Sequence, residues 1–166
     1  GIDLFTFEDC EISCFANCAF VHKFVGKTPY ALKESAGINR RVDEDGITFG
    51  RPINLRKNVT QEDEVCPLCF SNGMNYWHFT LDVLTKIMIM EKLGYKGKYL
   101  VNADGSSKEF LELLGFPEDR IIFCGFNKVI HAKRVYMFDE CYGIDLGGKW
   151  LDDTRQFIVD RIQERH

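Results

Sequence analysis

No apolar run in the 166-residue chain approaches the ~20 residues that a membrane-spanning helix needs, so no transmembrane segment is expected. The start, Gly1-Ile2-Asp3-Leu4, has neither the basic leader nor the apolar core of a secretory signal. An excess of positive charge is also missing. The 21 Lys and Arg residues are outnumbered by 25 Asp and Glu, giving a formal charge of −4, which excludes the basic footprint of a nucleic-acid binder. Repeats and low-complexity stretches are absent, so solenoid and linker-like organisations drop out. The glycine fingerprint of dinucleotide binding is absent as well: Gly94-Tyr95-Lys96-Gly97 has the wrong spacing, and Asp104-Gly105-Ser106-Ser107 reads as a loop entering a capped helix. What remains, at 45% hydrophobic and 28% charged, is the composition of one globular unit with a single core.

Cysteine is plentiful, with seven residues at Cys10, Cys14, Cys18, Cys66, Cys69, Cys124 and Cys141. An odd number without a leader cannot close a disulfide framework within one chain, and reduced thiols in a cytosolic setting are expected. Cys66-Pro67-Leu68-Cys69 has the two-residue gap of zinc knuckles, and Cys10, Cys14 and Cys18 recur every four residues. A zinc site with four thiolate ligands, Cys14, Cys18, Cys66 and Cys69, is therefore one reading, and small buried hydrophobes are the other. A redox pair would require a strand-to-helix turn, whereas Cys69 runs into the loop-like Phe70-Ser71-Asn72-Gly73.

The character of the chain changes near residue 70. Residues 1–70 read as a β-rich region, with Cys18 to Val25 and Gly46 to Gly50 as short strands and Asp45-Gly46 as a hairpin turn. Residues 71–166 alternate helix and strand, the pattern of a parallel sheet with crossover helices and a Rossmann-like α/β layer. The helices run from Asn75 to about Leu93, closed by Gly94, from Glu109 to Leu114, closed by Gly115, and from about Asp152 onward with Phe157, Ile158 and Ile162 on an apolar face. The strands are Lys98 to Asn102, Arg120 to Cys124 and Arg134 to Phe138. Ser106-Ser107-Lys108-Glu109 reads as a capping box.

The densest polar constellation lies on the first helix. Spacings of three and four put Asn75, His78 and Asp82 in one stripe, while Phe79, Leu81, Val83, Leu84, Ile87, Met88, Met90 and Leu93 cover the rest of the surface. A polar stripe on a buried helix must face something polar. Either it lines a cleft, or Asn75 caps the helix, Asp82 satisfies nearby backbone and His78 is a hydrogen-bonded core histidine. His22 and His131 stand singly in apolar strands and read as satisfied core histidines. Lys128, Lys133 and Arg134 read as a solvated edge, and Arg161, Arg165 and His166 as the cationic end of a helix.

The runs Asn75-Tyr76-Trp77-His78-Phe79-x-x-Asp82-Val83-Leu84, Lys98-Tyr99-Leu100-Val101 and Phe110-Leu111-x-x-Leu114-Gly115-Phe116-Pro117-Glu118-Asp119-Arg120-Ile121-Ile122 together resemble the family 61 glycosyltransferases. These include bacterial polysaccharide-biosynthesis enzymes and eukaryotic xylosyl- and N-acetylglucosaminyl-transferases. The resemblance covers about residues 40 to 165 and is most specific over residues 75 to 84. It implies an inverting enzyme of the two-Rossmann-domain, GT-B type that works without a bound metal or other cofactor, on a nucleotide-sugar donor and a glycan or other hydroxyl acceptor. Where many bacterial members have proline and arginine, Thr85 and Lys86 stand here, so a basic contact survives at Lys86 without the guanidinium geometry. The family's second, nucleotide-sugar-binding half has no counterpart before His166. The expectation is an acceptor-side half, inactive alone, in a bacterial cytoplasm or peripheral to its membrane, with a Golgi or ER lumen as the other option. A homodimer is expected if the face left by the absent half is apolar. Inverting transfer needs a base for the acceptor proton: Asp82 is the candidate base or acceptor anchor, with His78 as partner or competitor. Asn75 would hold a sugar hydroxyl, Tyr76 and Trp77 would stack on a pyranose, and Lys86 would supply the basic contact. The alternatives are a zinc-stabilised interaction module and a non-catalytic glycan-binding domain.

Overall fold

The computed structural model describes residues 4–15, 18–25, 28–31, 59–69, 73, 75–103, 106–125, 128–138 and 148–165, with side chains placed for all of these except 15, 18, 22–25 and 28–31. Their architecture is α/β, built on one mixed seven-stranded sheet in the order β3-β2-β1-β7-β4-β5-β6. Strands β1 (Leu4–Phe15), β2 (Cys18–Val25) and β3 (Thr28–Ala31) form an antiparallel meander. Strands β4 (Val59–Pro67), β5 (Lys98–Asn102), β6 (Ile121–Cys124) and β7 (Lys128–Phe138) run parallel to one another. The join is β7, which pairs antiparallel with β1 on one side and parallel with β4 on the other. The β-rich lead-in and the alternating region thus share one sheet. That sheet curls: the Cys124 thiol at the end of β6 meets Cys14 near the end of β1, four strands along in the order.

A helical rod follows β4. It opens as α1 (Tyr76–His78), widens into a π-helical turn (Phe79–Val83) and continues as α2 (Leu84–Lys92). Leu84 to Met88 are all buried, as expected for a segment that is apolar nearly all round. Gly94 ends the rod at φ +79°, a left-handed conformation that glycine adopts without a Cβ penalty, and Gly115 ends α3 (Ser107–Leu113) in the same way at φ +75°. The expected capping box is not formed: Ser106 stands at the N-cap position without a side-chain cap hydrogen bond, and Ser107 Oγ instead donates to the Asn102 carbonyl at 3.4 Å. A 3₁₀ turn (Glu118–Arg120) precedes β6, and α4 (Gly148–Arg165) closes the chain, starting four residues before the sequence expectation and packing Phe157, Ile158 and Ile162 against the core. The Gly46 to Gly50 strand and the Asp45-Gly46 turn lie outside the described residues. Among those described, no helix is long and apolar enough to cross a membrane.

At the far end of the rod, Glu91 gathers three other elements. One carboxylate oxygen accepts from Tyr99 Oη at 2.7 Å and lies 2.8 Å from an Arg120 guanidinium nitrogen; the other accepts from Arg161 at 3.2 Å. Arg120 also donates to the Tyr95 and Gly97 carbonyls, and Arg161 donates to the Leu114 carbonyl while stacking 4.2 Å over the Phe116 ring. Glu91→Ala strands two guanidinium groups and a buried phenol, and a loss of about 3 kcal/mol is expected by urea unfolding. The exposed Asp63–Lys133 pair at 2.6 Å is the control: Lys133→Ala is expected to leave the urea midpoint unchanged.

Burial raises the pKa of both Tyr95 and Tyr99 well above the ordinary phenol value, and the Glu91 hydrogen bond adds to the effect at Tyr99. A raised folded-state pKa gives stability that is fully present below the unfolded value, about 10, and lost as pH climbs above it. The protein is therefore expected to lose stability above about pH 10 as unfolded phenols ionise, and Tyr99→Phe should flatten that alkaline arm in denaturant titrations that follow phenolate absorbance.

Candidate functional site

The polar stripe of the rod lies where the chain leaves the carboxyl end of β4. Asn75 is the N-cap: its side chain accepts from the Trp77 N–H at 3.0 Å, which satisfies one of the free donors of the first turn. The rod enters the π turn at Phe79, and the Leu84 N–H reaches back to the Phe79 carbonyl, five residues away. Thr80 Oγ1 donates within this turn, lying 2.9 Å from the Tyr76 carbonyl and 3.0 Å from that of Trp77. Single π turns of this kind recur at functional sites because they redirect side chains within an otherwise regular helix.

The redirected side chain is Asp82. It is 1% exposed, and its Oδ2 lies 2.7 Å from Nδ1 of His78, whose side chain is 29% exposed. A carboxylate at Nδ1 favours the tautomer with the proton on that nitrogen, which makes Nε2 the acceptor nitrogen of the ring. The buried acid and the accessible imidazole thus form an oriented dyad. One turn further on, Lys86 is 5% exposed, with Nζ 5.9 Å from the ring centre of Phe138, the last residue of β7. The stripe accordingly runs from the solvent-facing His78 inward to Lys86, over the carboxyl ends of β4 and β7.

Tyr76 and Trp77 are each 59% exposed beside the dyad. The Tyr76 ring meets Phe110 edge-on at 5.7 Å, so part of it packs on α3. Two buried polar residues, Asn102 and Thr85, were not singled out as candidates by the sequence. Asn102, 1% exposed, ends β5 beside the start of α3. Thr85 is fully buried with its hydroxyl 2.9 Å from that of Thr154 on α4, so it joins two helices. The only sequence signal for either was a polar residue inside an apolar run.

Of the four proposed thiolate ligands, Cys14, Cys66 and Cys69 are not brought together. Cys14 stands opposite Lys128 in the register, whereas Cys66 follows Val65, which stands opposite Val135. Seven residues of strand separate those positions, about 20 Å at the rise of a β-strand. The every-four spacing of Cys10 and Cys14 has a simpler origin: both are inward positions of β1, on the buried face with Ile12. The Cys18 side chain lies outside those described. Cys69 is buried just beyond β4. Among the described residues no group of three or more His, Cys, Asp and Glu side chains is arranged to hold a metal.

Compared with protein-family models, curated proteins and solved structures, the chain gives no significant match.

The Cys14 thiol is pushed far up by its hydrogen bond with Cys124 and by burial, and the Cys66 thiol by burial, with the Lys86 ammonium pulling weakly the other way. Since the thiolate is the reactive form, Cys10, Cys14, Cys66, Cys69 and Cys124 are all expected to stay silent towards a disulfide reagent at pH 8 until the protein is unfolded. Peptide mapping of labelled native protein checks this, and rapid native labelling of Cys66 or Cys69 would contradict it.

Proposed function

We propose that the chain is the acceptor-side part of an inverting glycosyltransferase, with His78 as the proton acceptor and Asp82 as the residue that orients it. The observation that carries this reading is the 2.7 Å contact between the buried Asp82 carboxylate and Nδ1 of the accessible His78. The resemblance over residues 75 to 84 supports it, as do the two exposed aromatics beside the dyad. The Rossmann-like and GT-B assignments, the nucleotide-sugar donor and a second half that binds it belong to this same proposal and rest on the resemblance.

The acceptor hydroxyl gives its proton to His78 Nε2 as its oxygen attacks the anomeric carbon, and the bond from that carbon to the nucleoside diphosphate breaks with inversion. The imidazolium that forms is held by the Asp82 carboxylate at Nδ1, which keeps the ring aimed and offsets its charge. Burial keeps Asp82 away from water and strengthens that interaction. Tyr76 and Trp77 would cover the apolar face of a pyranose, an arrangement suited to holding an acceptor sugar beside the dyad. Lys86 lies too deep to meet the acceptor directly and acts as the positive charge beneath the dyad.

The test is transfer with a nucleotide-sugar panel by a parent chain that carries a donor-binding half. His78→Ala is expected to lower kcat by more than about a hundredfold with the fold intact, and Asp82→Asn to lower it by a smaller factor through misorientation of the ring. Trp77→Ala should raise the acceptor KM and spare kcat. Unchanged turnover in both dyad variants would reduce the His78–Asp82 contact to a structural one.

A further inference from the structure

The hydrogen-bond ladder of the rod changes its spacing along its length. The Phe79 N–H reaches four residues back to the Asn75 carbonyl, the Leu84 N–H five back to Phe79, and the Leu93 N–H four back to Ile89. A threonine stands at each change. At the entry, Thr80 Oγ1 lies 2.9 Å from the Tyr76 carbonyl and 3.0 Å from that of Trp77, so its one proton is shared between them. At the exit, Thr85 Oγ1 donates to the Leu81 carbonyl at 2.6 Å. Back-bonding of this kind slightly destabilises a regular α-helix, because the hydroxyl competes with the ladder. Where the ladder is already interrupted, the same hydroxyl supplies a partner that the changed spacing takes away.

The carbonyls chosen are telling. That of Trp77 belongs to the peptide group joining Trp77 to His78, and that of Leu81 to the peptide group joining Leu81 to Asp82. A peptide group is planar, so a hydroxyl that grips its oxygen also fixes the nitrogen from which the next residue starts. Both members of the dyad therefore project from planes held by a threonine. Thr85 is fully buried, and its hydroxyl also lies 2.9 Å from that of Thr154 on α4, itself 2.7 Å from the Trp150 carbonyl. These three contacts share two protons, so the threonines bond each other only when one of them releases its own carbonyl.

We propose that Thr80 and Thr85 are positioning residues of the His78–Asp82 dyad, holding the two peptide planes from which the imidazole and the carboxylate reach their 2.7 Å contact. Neither touches the ring or the carboxylate in this role; each acts through the backbone. The positioning does not depend on which reaction the dyad serves.

The experiment reads the His78 ring in the full chain by NMR of nitrogen-labelled histidine at pH 8, above the ordinary imidazole range, where ring nitrogen shifts separate the tautomer protonated at Nδ1 from that protonated at Nε2. His78→Ala assigns the signal. Wild-type His78 is expected in the Nδ1–H form that the Asp82 carboxylate favours. Thr80→Val and Thr85→Val remove the hydroxyls at similar shape, and each should lower the share of that form at least about twofold, the scale of one lost hydrogen bond. Thr80→Ser and Thr85→Ser should retain it. Thr154→Val removes the same contact between α2 and α4 but leaves the Thr85 proton to the Leu81 carbonyl, so it should lower thermal stability without moving the tautomer. Circular dichroism checks the fold, and should Thr85→Val not fold, Thr80→Val, at a half-buried position, decides the matter. An unchanged tautomer in the folded valine variants, an effect of Thr154→Val as large as that of Thr85→Val, or wild-type His78 in the Nε2–H form would each overturn the proposal.

Discussion

The Glu91 carboxylate fixes the rod on which the polar core residues depend. A negative charge in the last turn of a helix opposes the helix dipole and is unfavourable by itself. Here two guanidinium groups and a phenol, drawn from the 3₁₀ turn, α4 and β5, reverse that sign. The partners are far apart in sequence, so the interaction forms only when those elements are in place. A helix is stiff along its length, and anchoring one end sets the height and rotation of side chains at the other. The position of His78 and Asp82 is in this sense determined at Glu91.

The π turn then does what a regular helix cannot. With one residue more per turn between Phe79 and Leu84, the segment before it and the segment after it are out of phase. Leu84 to Met88 can be enclosed on all sides while Asp82 is turned towards His78 and His78 stays open to water. The Thr85 and Thr154 hydroxyls meet between α2 and α4 and also reach carbonyls of their own helices, Leu81 at 2.6 Å and Trp150 at 2.7 Å. No polar side-chain atom of the described residues is left buried without a partner, which is what allows a polar stripe to survive in so apolar a helix.

Much of this was legible in the sequence, for reasons that can be named. The rod, β5 and β6 are bounded by Gly94, Gly97 and Gly115, and their apolar periodicity is strong, so their limits came within a few residues. Strand β4 was not legible, because Gln61-Glu62-Asp63-Glu64 is a run of polar residues on a strand whose first half lies near the surface and only whose last three residues are buried. Strand β1 does alternate through Cys10, Ile12 and Cys14, but its cysteines drew attention as ligands rather than as inward positions. The π turn leaves no mark at all, since spacings of three and four predict the same stripe for an α-helix. The dyad was readable as a stripe, yet which of its members is buried depends on the packing of α3 and α4.

The adjacency of Glu11 and His131 could not be read, because they lie on β1 and β7 and their pairing comes only from register. Register is strongly specified when one face is buried: slipping β1 by one residue against β7 would carry Ile12 and Cys10 out of the core and Glu11 into it. The apolar side chains of β1 therefore fix this pairing from the opposite face. The Glu11 and His131 pair sits towards the amino end of β7, and the dyad's helix packs over its carboxyl end through Lys86 and Phe138. The long central strand β7 ties the two parts of the sheet together, since it is paired with β1 along its length and with β4 from Val129 to Val135.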